Sequence, residues 1–245
     1  AIPDGEAFRA QLAAAFTHAA ATGQAVTFGV PPTRPETGYG YLEVAPPAGG
    51  DGDPGRPRAG RRFVEKPDAD TAARYLEAGN FLWNSGIFVW ESRAFAEALD
   101  RCLPGLRERL APAVTAHGSA AFARALAAAY GDLPAVSLDV AVMEKLSGFA
   151  VLRAAFRWSD LGSWDAWGEL APELPGGNRG DAELFTLGAN GNVVFAPGKA
   201  VALIGVDDLI VVDAGDALLV CRARDAQRLR ELTAELERRQ RSDLL

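Results

Sequence analysis

Residues 61–92 of this chain, RRFVEKPDADTAARYLEAGNFLWNSGIFVWES, decide its fold class. The run over 61–66 predicts a strand that ends at Pro67, which has no N–H to donate to a sheet. A helical stretch follows over 70–78, and the aromatic run over 81–90 predicts a second strand. Strands and helices in alternation are typical of an α/β domain.

The sequence on either side of this segment continues the alternation. Residues 4–21 predict a capped helix, because apolar residues recur there at a spacing of four. Short strands are predicted over 26–30 and 149–158. Residues 46–60 offer nothing larger than alanine for a core, which predicts a mobile hairpin excursion. We assign residues 1–172 to one α/β domain.

Beyond residue 172 the pattern changes to that of an all-β region. Short apolar runs separated by Gly and Asp follow one another at intervals of about ten residues. These runs cover 184–187, 192–195, 200–206, 209–212 and 217–221. Asp225 is then expected to cap a final amphipathic helix. We assign residues 173–245 to a smaller β-rich domain with a terminal helix.

The composition excludes several classes of function. The chain has 245 residues and a formal net charge of −7, which argues against nucleic acid or an anionic membrane as its main partner. No run is long and apolar enough to span a membrane, and residues 1–8 lack the features of a secretory signal. We therefore expect a cytoplasmic location. Two cysteines and two histidines, without paired spacing, argue against a zinc site or a disulfide framework.

Glu65 and Lys66 are the first candidate functional pair. Only 3 of the 25 basic residues are lysines, so a general need for positive charge explains Lys66 poorly. On a strand the two side chains would point to opposite faces, and both reach one ligand only if the strand bends or ends at Pro67. A solvated lysine on an edge strand is the simpler interpretation, and the dipeptide alone does not separate the two.

Asn84 and Asp160 each allow a structural and a functional interpretation. Asn84 lies in an apolar strand, where it could bond to the backbone at a bulge marked by Gly86 or face a hydroxyl-rich ligand. Asp160 is expected at the end of a strand, where it could order the turn into the next helix or hold a divalent cation. The residue types leave both alternatives open.

Glu144 and Lys145 receive no chemical role from the sequence. They belong to a helix that we predict over 137–146, with Ser137 as its cap and Asp139 favoured in the first turn by the helix dipole. A solvated helical face is the expectation for such a pair.

Five motifs, in this order and at this spacing, resemble the mannose-1-phosphate guanylyltransferase (GDP-mannose pyrophosphorylase) family. They are TFGVPPTRPETGYGYLE, FVEKP, NFLWNSGIFVW, SLDVAVMEK and WSDLGSWDAWGEL. The run DLIVVDAGDALLVC is similar to the C-terminal part of that family, so the resemblance covers most of residues 25–222. It implies a doubly wound, Rossmann-like nucleotidyltransferase sheet followed by a β-helix-like domain.

The resemblance also implies a reaction. Members of this family transfer GMP from GTP to mannose 1-phosphate with the help of Mg²⁺, giving GDP-mannose and pyrophosphate. Carried over to this sequence, Lys66 would hold the sugar phosphate, and Asp160 would be one of two aspartates on the metal ion. The other implied contacts to the sugar come from Tyr39, Gly40, Glu65, Asn84 and Gly86. Glu65 would accept hydrogen bonds from mannose hydroxyls, the Gly40 backbone would approach the sugar, and Asn84 would bind a further hydroxyl.

Two segments of the family pattern do not occur in this sequence. The family begins with a Gly-rich loop of the type GGxGTRLWPLSR, which cradles the triphosphate, and later supplies a PADH segment with the second metal aspartate. We therefore expect an N-terminally incomplete chain with an incomplete sheet, lacking about 100 residues on the scale of a small domain. The alternative is a non-catalytic homologue that binds sugar phosphate or regulates a complete enzyme. For the C-terminal domain and its final helix we expect packing against the catalytic domain or a homodimer contact.

Overall fold

The computed structural model describes residues 1–46, 55–131 and 133–244. Residues 47–54, the centre of the predicted hairpin excursion, lie outside the described residues. The chain divides into two compact units, Ile2–Trp158 and Ser159–Leu245 together with Ala1. Among the described helices, none combines the length and the apolar character needed to cross a membrane.

The helices of the first unit follow the sequence signals closely. They are α1 (Gly5–Thr22), α2 (Ala69–Ala78), α3 (Ser92–Cys102), α4 (Leu106–Thr115), α5 (Phe122–Gly131) and α6 (Leu138–Ala141). The predicted cap of α1 is confirmed, because the Asp4 carboxylate accepts a hydrogen bond from the Ala7 N–H at 3.1 Å. Gly23 ends this helix in the left-handed conformation with φ 70°.

The helix predicted over 137–146 is wrong in its second half. Helix α6 ends at Ala141, and a 3-10 turn, Met143–Lys145, follows it. Val142 leaves the helical region with φ −120°. Because Val142 and Met143 are both fully buried, the chain turns inward here and does not continue along the surface.

Five strands of the first unit are hydrogen-bonded in a closed ring. They are β1 (Val26–Val30), β2 (Tyr41–Val44), β3 (Arg58–Val64), β4 (Phe81–Val89) and β5 (Phe149–Arg153). The order is β1-β4-β2-β3-β5, and β5 pairs back to β1. The β1–β5 pair is parallel and the other pairs are antiparallel. Helices outside a mixed sheet confirm the α/β class of this unit.

Strand β5 is shorter than the sequence predicts. It ends at Arg153, not at residue 158, and the Ala154 N–H still bonds to the Gly29 carbonyl at 2.9 Å. The next N–H, that of Ala155, donates to the Gln11 side chain of α1 at 2.8 Å. A side chain therefore replaces the neighbouring strand as the hydrogen-bond partner, and the ladder stops.

One interpretation of Asn84 places a bulge at Gly86, and the strand pairing contains one. Thr27 of β1 pairs with Phe88, whereas Gly29 pairs with Asn84, so β4 carries two extra residues between these positions. Gly86 lies in this stretch with φ 72°, a conformation that glycine adopts without the steric cost of a Cβ. The bulge separates the apolar end of β4 from the end that carries Asn84.

The second unit is built on a β-sheet. Its elements are α7 (Trp164–Leu170), β6 (Glu173–Leu174), β7 (Asn178–Leu187), β8 (Val193–Ile204), β9 (Leu209–Asp213), β10 (Leu218–Arg222) and α8 (Leu229–Arg238). The sheet order is β10-β9-β8-β7-β6, with parallel pairing of β7, β8 and β9. Two of the predicted runs, 192–195 and 200–206, join into the single strand β8. Both halves pair with β7, on either side of a register shift.

The predicted cap of the terminal helix is wrong. Asp225 lies inside a 3-10 turn, Ala223–Arg228, and α8 begins after Arg228. The Ala223 N–H donates to the Asp208 carbonyl at 2.8 Å. This bond ties the start of the turn to the residue before β9, so the helix begins later than the local sequence suggests.

Helix α7 belongs to the second unit, although the sequence analysis places the domain boundary at 172/173. Trp164 and Trp167 lie against Phe195 of β8, with ring centroids 5.4 and 5.3 Å away. A Cβ on Gly168 would come within 2.4 Å of Val193, so only glycine allows the helix this close to the strand. The division between the compact units falls after Trp158, the first residue of the WSDLGSW motif.

Two buried asparagines link the starts of β7, β8 and β9 through hydrogen bonds. Asn178 and Asn192 are fully buried, and Asn178 Oδ1 accepts from both the backbone N–H and the side-chain amide of Asn192 at 2.9 Å. Asn192 Oδ1 in turn accepts from the Leu209 backbone N–H at 2.9 Å. Such satisfied buried networks fix one arrangement of the chain.

Replacement of Asn192 by alanine is expected to lower the free energy of unfolding by about 3 kcal/mol, because several buried polar groups lose their partner. Urea unfolding followed by circular dichroism measures the change. Asn190→Ala is the control, since Asn190 is exposed and bonds only at the surface to Asp207. Equal losses in the two variants would show that the buried network contributes little.

Candidate functional site

Three of the predicted site residues meet on neighbouring strands of the first unit. Gly40 comes directly before β2, Glu65 directly after β3, and Asn84 lies on β4. The Asn84 N–H donates to the Gly40 carbonyl at 2.7 Å. A Cβ built on Gly40 would lie 2.7 Å from Glu65 Oε2 and 3.4 Å from Asn84 Cβ. The strand pairing thus places a carboxylate, an amide and a bare backbone side by side.

Gly40 is required for space. Its Cα faces Glu65, and the ring of Phe63 also comes within 3.0 Å of where a Cβ would be. The residue is buried, and any side chain here would push the Glu65 carboxylate away.

For the reaction that the resemblance implies, the Gly40→Ala variant is expected to lower kcat/KM for the sugar phosphate by about tenfold, because a carboxylate displaced by about 1 Å loses its hydrogen-bond geometry. Its melting temperature should also fall, because the ring of the buried Phe63 must shift. Steady-state kinetics and thermal unfolding measure the two effects. Gly131→Ala, at the end of α5 with no atom within 4 Å of the added Cβ, controls for the added methyl group. Unchanged kinetics in Gly40→Ala would remove Glu65 from the site.

Lys66 and Glu65 lie on the same side of the chain because the strand ends before them. Strand β3 stops at Val64, and Lys66 adopts the left-handed region with φ 45°. This conformation brings the Lys66 Nζ to 3.2 Å from Glu65 Oε1. The lysine side chain is 61% exposed and the glutamate 20% exposed. The strand therefore ends before Glu65 and Lys66, which is the condition under which both side chains can reach one ligand.

Asn84 is held by side chains on two sides. Its carbonyl oxygen accepts from the Thr27 hydroxyl at 3.3 Å, and its amide nitrogen donates to Asp139 Oδ1 at 3.1 Å. Only 8% of the residue is exposed. A primary amide has two N–H donors and two acceptor lone pairs, so one of each remains beyond these two bonds. The Asn84 side chain thus bonds to two side chains and not to the backbone of the bulge, and it retains capacity for a ligand hydroxyl.

Tyr39 belongs to a loop that is packed against β4. Its ring meets Trp83 and Trp158 edge-on, with centroids 5.2 and 5.4 Å away. The hydroxyl of the buried Tyr41 donates to the Glu36 carbonyl at 2.9 Å. Burial raises the pKa of Tyr41, which keeps this hydroxyl protonated as a donor. The loop that precedes Gly40 is thus anchored to the sheet.

Gly86 does not contact the other site residues. No atom lies within 4 Å of where its Cβ would be. Its positive φ accounts for the glycine, and its effect on the site is through the bulge that follows Asn84.

Asp160 belongs to the second compact unit, Ser159–Leu245 together with Ala1. It does not follow directly on a strand as expected, since β5 ends at Arg153. The Asp160 Oδ1 accepts from the Gly162 N–H at 3.1 Å, and Leu161 between them has φ 55°. The side chain is exposed. Asp160 orders the turn before α7, and its carboxylate remains accessible from solvent.

The donor set for a metal ion is small. Within residues 1–46, 55–131 and 133–244, no three His, Cys, Asp or Glu side chains are grouped to hold a metal ion. Mg²⁺, however, commonly binds to one or two carboxylates together with substrate phosphates and water. An exposed aspartate such as Asp160 is a donor of the required type, and it fits this kind of site without a preformed cage.

The sequence analysis missed the contribution of Glu144. This residue is exposed, as expected, but its Oε1 accepts from the Glu65 N–H at 3.0 Å. The two residues are 79 positions apart. No local pattern could have indicated this contact, because it depends on how the 3-10 turn after α6 approaches the end of β3.

Comparisons with known proteins show which families the two parts of the chain match. The model of the nucleotidyl transferase family matches residues 2–175, and that of the mannose phosphate isomerase/GMP-like β-helix domain matches residues 183–236. Mannose-1-phosphate guanylyltransferase 2 of Escherichia coli O157:H7 is 32% identical over 229 residues, which are 91% of this chain and 47% of that protein. A mannose-1-phosphate guanylyltransferase of Sinorhizobium fredii is 35% identical over 89% of this chain and 42% of its own length.

A solved structure shares the fold over nearly the whole chain. The crystal structure of mannose-1-phosphate geranyltransferase from Thermus thermophilus superposes with a TM-score of 0.81 and 33% identity. The match covers 97% of this chain and 67% of that protein. The chain spans about half the length of the curated relatives it matches.

Proposed function

This chain belongs to the nucleotidyl transferase family, and from that premise we propose that the protein transfers GMP from GTP to mannose 1-phosphate. The products are GDP-mannose and pyrophosphate. The observation that carries the proposal is the meeting of four residues on neighbouring strands: Gly40 before β2, Glu65 and Lys66 after β3, and Asn84 within β4. A carboxylate and an amide suit the hydroxyls of a sugar, and an ammonium beside them suits its phosphate.

The reaction needs alignment and charge neutralisation more than covalent chemistry. An oxygen of the sugar phosphate attacks the α-phosphorus of GTP, and the bond from that phosphorus to the bridging oxygen of the β-phosphate breaks. Pyrophosphate leaves with the bonding electron pair. Lys66 holds the attacking phosphate and offsets its charge, while Glu65 and Asn84 fix the sugar ring through its hydroxyls. The backbone of Gly40 allows the ring to lie directly on the sheet.

Magnesium is part of the proposal. When bound, Mg²⁺ neutralises charge on the nucleotide phosphates and orients them. Asp160 supplies one carboxylate for it, and the phosphates and water supply further oxygens. The nucleotide substrate and the acidic net charge of −7 fit a protein of the cytoplasm.

The substrate assignment is tested by measuring pyrophosphate release from the protein as its gene encodes it. GTP is compared with ATP and UTP, and mannose 1-phosphate with glucose 1-phosphate, with Mg²⁺ present or chelated. We expect release with GTP and mannose 1-phosphate that depends on the metal ion. Turnover with another pair would reassign the substrates within the same family. Binding of mannose 1-phosphate without turnover would favour a regulatory homologue.

A further inference from the structure

We propose that Asp139 and Glu144 are positioning residues that orient the side chains holding the sugar phosphate. Neither is assigned a role by the sequence motifs, and both come from the segment between α5 and β5. Asp139 accepts a hydrogen bond from Asn84 on β4, and Glu144 accepts one from Glu65 directly after β3. The inference rests on the proposed function, which makes Asn84 and Glu65 ligands of the sugar.

Asp139 determines which way the Asn84 amide faces. An amide can turn over and exchange its oxygen and nitrogen, unless its neighbours distinguish the two ends. Asp139 Oδ1, 3.1 Å from the amide nitrogen, accepts only, whereas the Thr27 hydroxyl, 3.3 Å from the oxygen, can donate. Because a carboxylate cannot donate, the nitrogen must face Asp139. The second N–H of Asn84 is then presented in one fixed direction.

Glu144 fixes the backbone at the end of β3. The Glu65 N–H has passed the last residue of the strand and donates to Glu144 Oε1 at 3.0 Å. Lys66, the next residue, has a φ of 45°, which is unfavourable for a residue with a Cβ. A bond on the preceding N–H restrains this turn. The paired positions of the carboxylate and the ammonium, 3.2 Å apart, depend on that restraint.

The segment that carries both residues is anchored in the core. Val142 and Met143 are fully buried, and Ala141 is 3% exposed. Asp139 therefore stands before a buried anchor and Glu144 directly after it. One packed turn can thus hold a strand end and a bulged strand in register, which is how rigid support of ligand-binding side chains is achieved.

The chemistry of the two contacts predicts which substitutions are tolerated. Both donors are neutral N–H groups, so each contact needs an acceptor oxygen and no negative charge. Glu144→Gln keeps that oxygen beside the Glu65 backbone N–H, which cannot turn over, whereas Glu144→Ala removes it. Asp139→Asn keeps an oxygen but adds an N–H donor, so it no longer distinguishes the two ends of the Asn84 amide, and Asp139→Ala removes the acceptor. A Glu144 carboxylate that acted as a base or a metal ligand would not be replaced by an amide.

The kinetic test compares these four variants in the protein as its gene encodes it. We expect the alanine variants to raise KM for mannose 1-phosphate by about tenfold with KM for GTP unchanged. Glu144→Gln should stay within about threefold of the parent, and Asp139→Asn should fall between the parent and Asp139→Ala. Asp70→Ala removes an exposed acid from the first turn of α2, so it controls for the loss of the favourable helix-dipole interaction that Asp139 makes. Lys145→Ala controls for truncation of the 3-10 turn. Glu144→Gln as impaired as Glu144→Ala would overturn the proposal.

Two further measurements test the positioning role independently of whether the protein catalyses the reaction. Calorimetric titration of mannose 1-phosphate without GTP should show weaker binding in both alanine variants, whether or not the protein turns over. Amide exchange followed by NMR should be faster at the Glu65 N–H in Glu144→Ala than in Glu144→Gln. Binding without turnover in the parent protein would contradict the proposed function alone. Unchanged binding in the alanine variants, or no binding by the parent, would overturn the positioning role.

Discussion

Lys66→Ala is expected to lower kcat/KM for mannose 1-phosphate by about a hundredfold or more, the scale of a charge-assisted contact to phosphate. The lysine lies 3.2 Å from Glu65 and is 61% exposed, so the ion pair itself contributes little to stability. The loss should therefore fall on activity and not on the melting temperature. Initial rates at varied sugar phosphate, together with thermal unfolding, measure both.

Lys199→Ala is the matched control for this variant. Lys199 is 57% exposed and forms its own ion pair with a carboxylate, that of Asp213, on the strand β9. Like Lys66→Ala, Lys199→Ala removes one positive charge and one surface ion pair. We expect it to leave kcat/KM unchanged. If Lys66→Ala behaves like Lys199→Ala, the lysine is only a solvated residue at the end of a strand.

Asp160→Asn is expected to reduce Mg²⁺-dependent turnover by at least about a thousandfold, because an amide is a much weaker ligand for a hard cation than a carboxylate. The fold should survive. The asparagine oxygen can still accept the hydrogen bond that Asp160 receives from the Gly162 N–H at 3.1 Å. Turnover as a function of Mg²⁺ concentration, with circular dichroism as the check on folding, measures the effect.

Asp213→Asn is the matched control for Asp160. The Asp213 Oδ1 also accepts from a glycine two residues further on, the Gly215 N–H, at 2.8 Å. Both substitutions remove a carboxylate charge from the same kind of turn, and Asp213→Asn in addition breaks the ion pair with Lys199. Full activity in Asp160→Asn would show that Asp160 shapes the turn before α7 and binds no metal ion.

Local signals in the sequence predict much of the architecture. Capping at Asp4, the helix stop at Gly23 and the bulge at Gly86 depend on a few neighbouring residues, and the structure confirms all three. The residues that meet at the candidate site are also those that the motifs single out. Glu65, Lys66 and Asn84 lie on predicted strands, so their meeting follows once the strands are paired.

What the sequence could not predict depends on contacts between distant segments. The strand at Phe149 ends early because the Gln11 side chain takes over its hydrogen bonding. The helix that begins at Leu138 stops after one turn because the next two residues are buried. The contact of Glu144 with Glu65 follows from that stop. In each case burial or a long-range bond outweighs a local helix or strand preference.

The most direct test of the proposed function follows the phosphorus atoms of GTP. The protein as its gene encodes it is incubated with mannose 1-phosphate, Mg²⁺ and GTP labelled at either the α- or the γ-phosphate. Attack at the α-phosphorus predicts that the α-label enters GDP-mannose and that the γ-label leaves in pyrophosphate. Release of the γ-label as inorganic phosphate, or no transfer of the α-label to the sugar, would contradict the account.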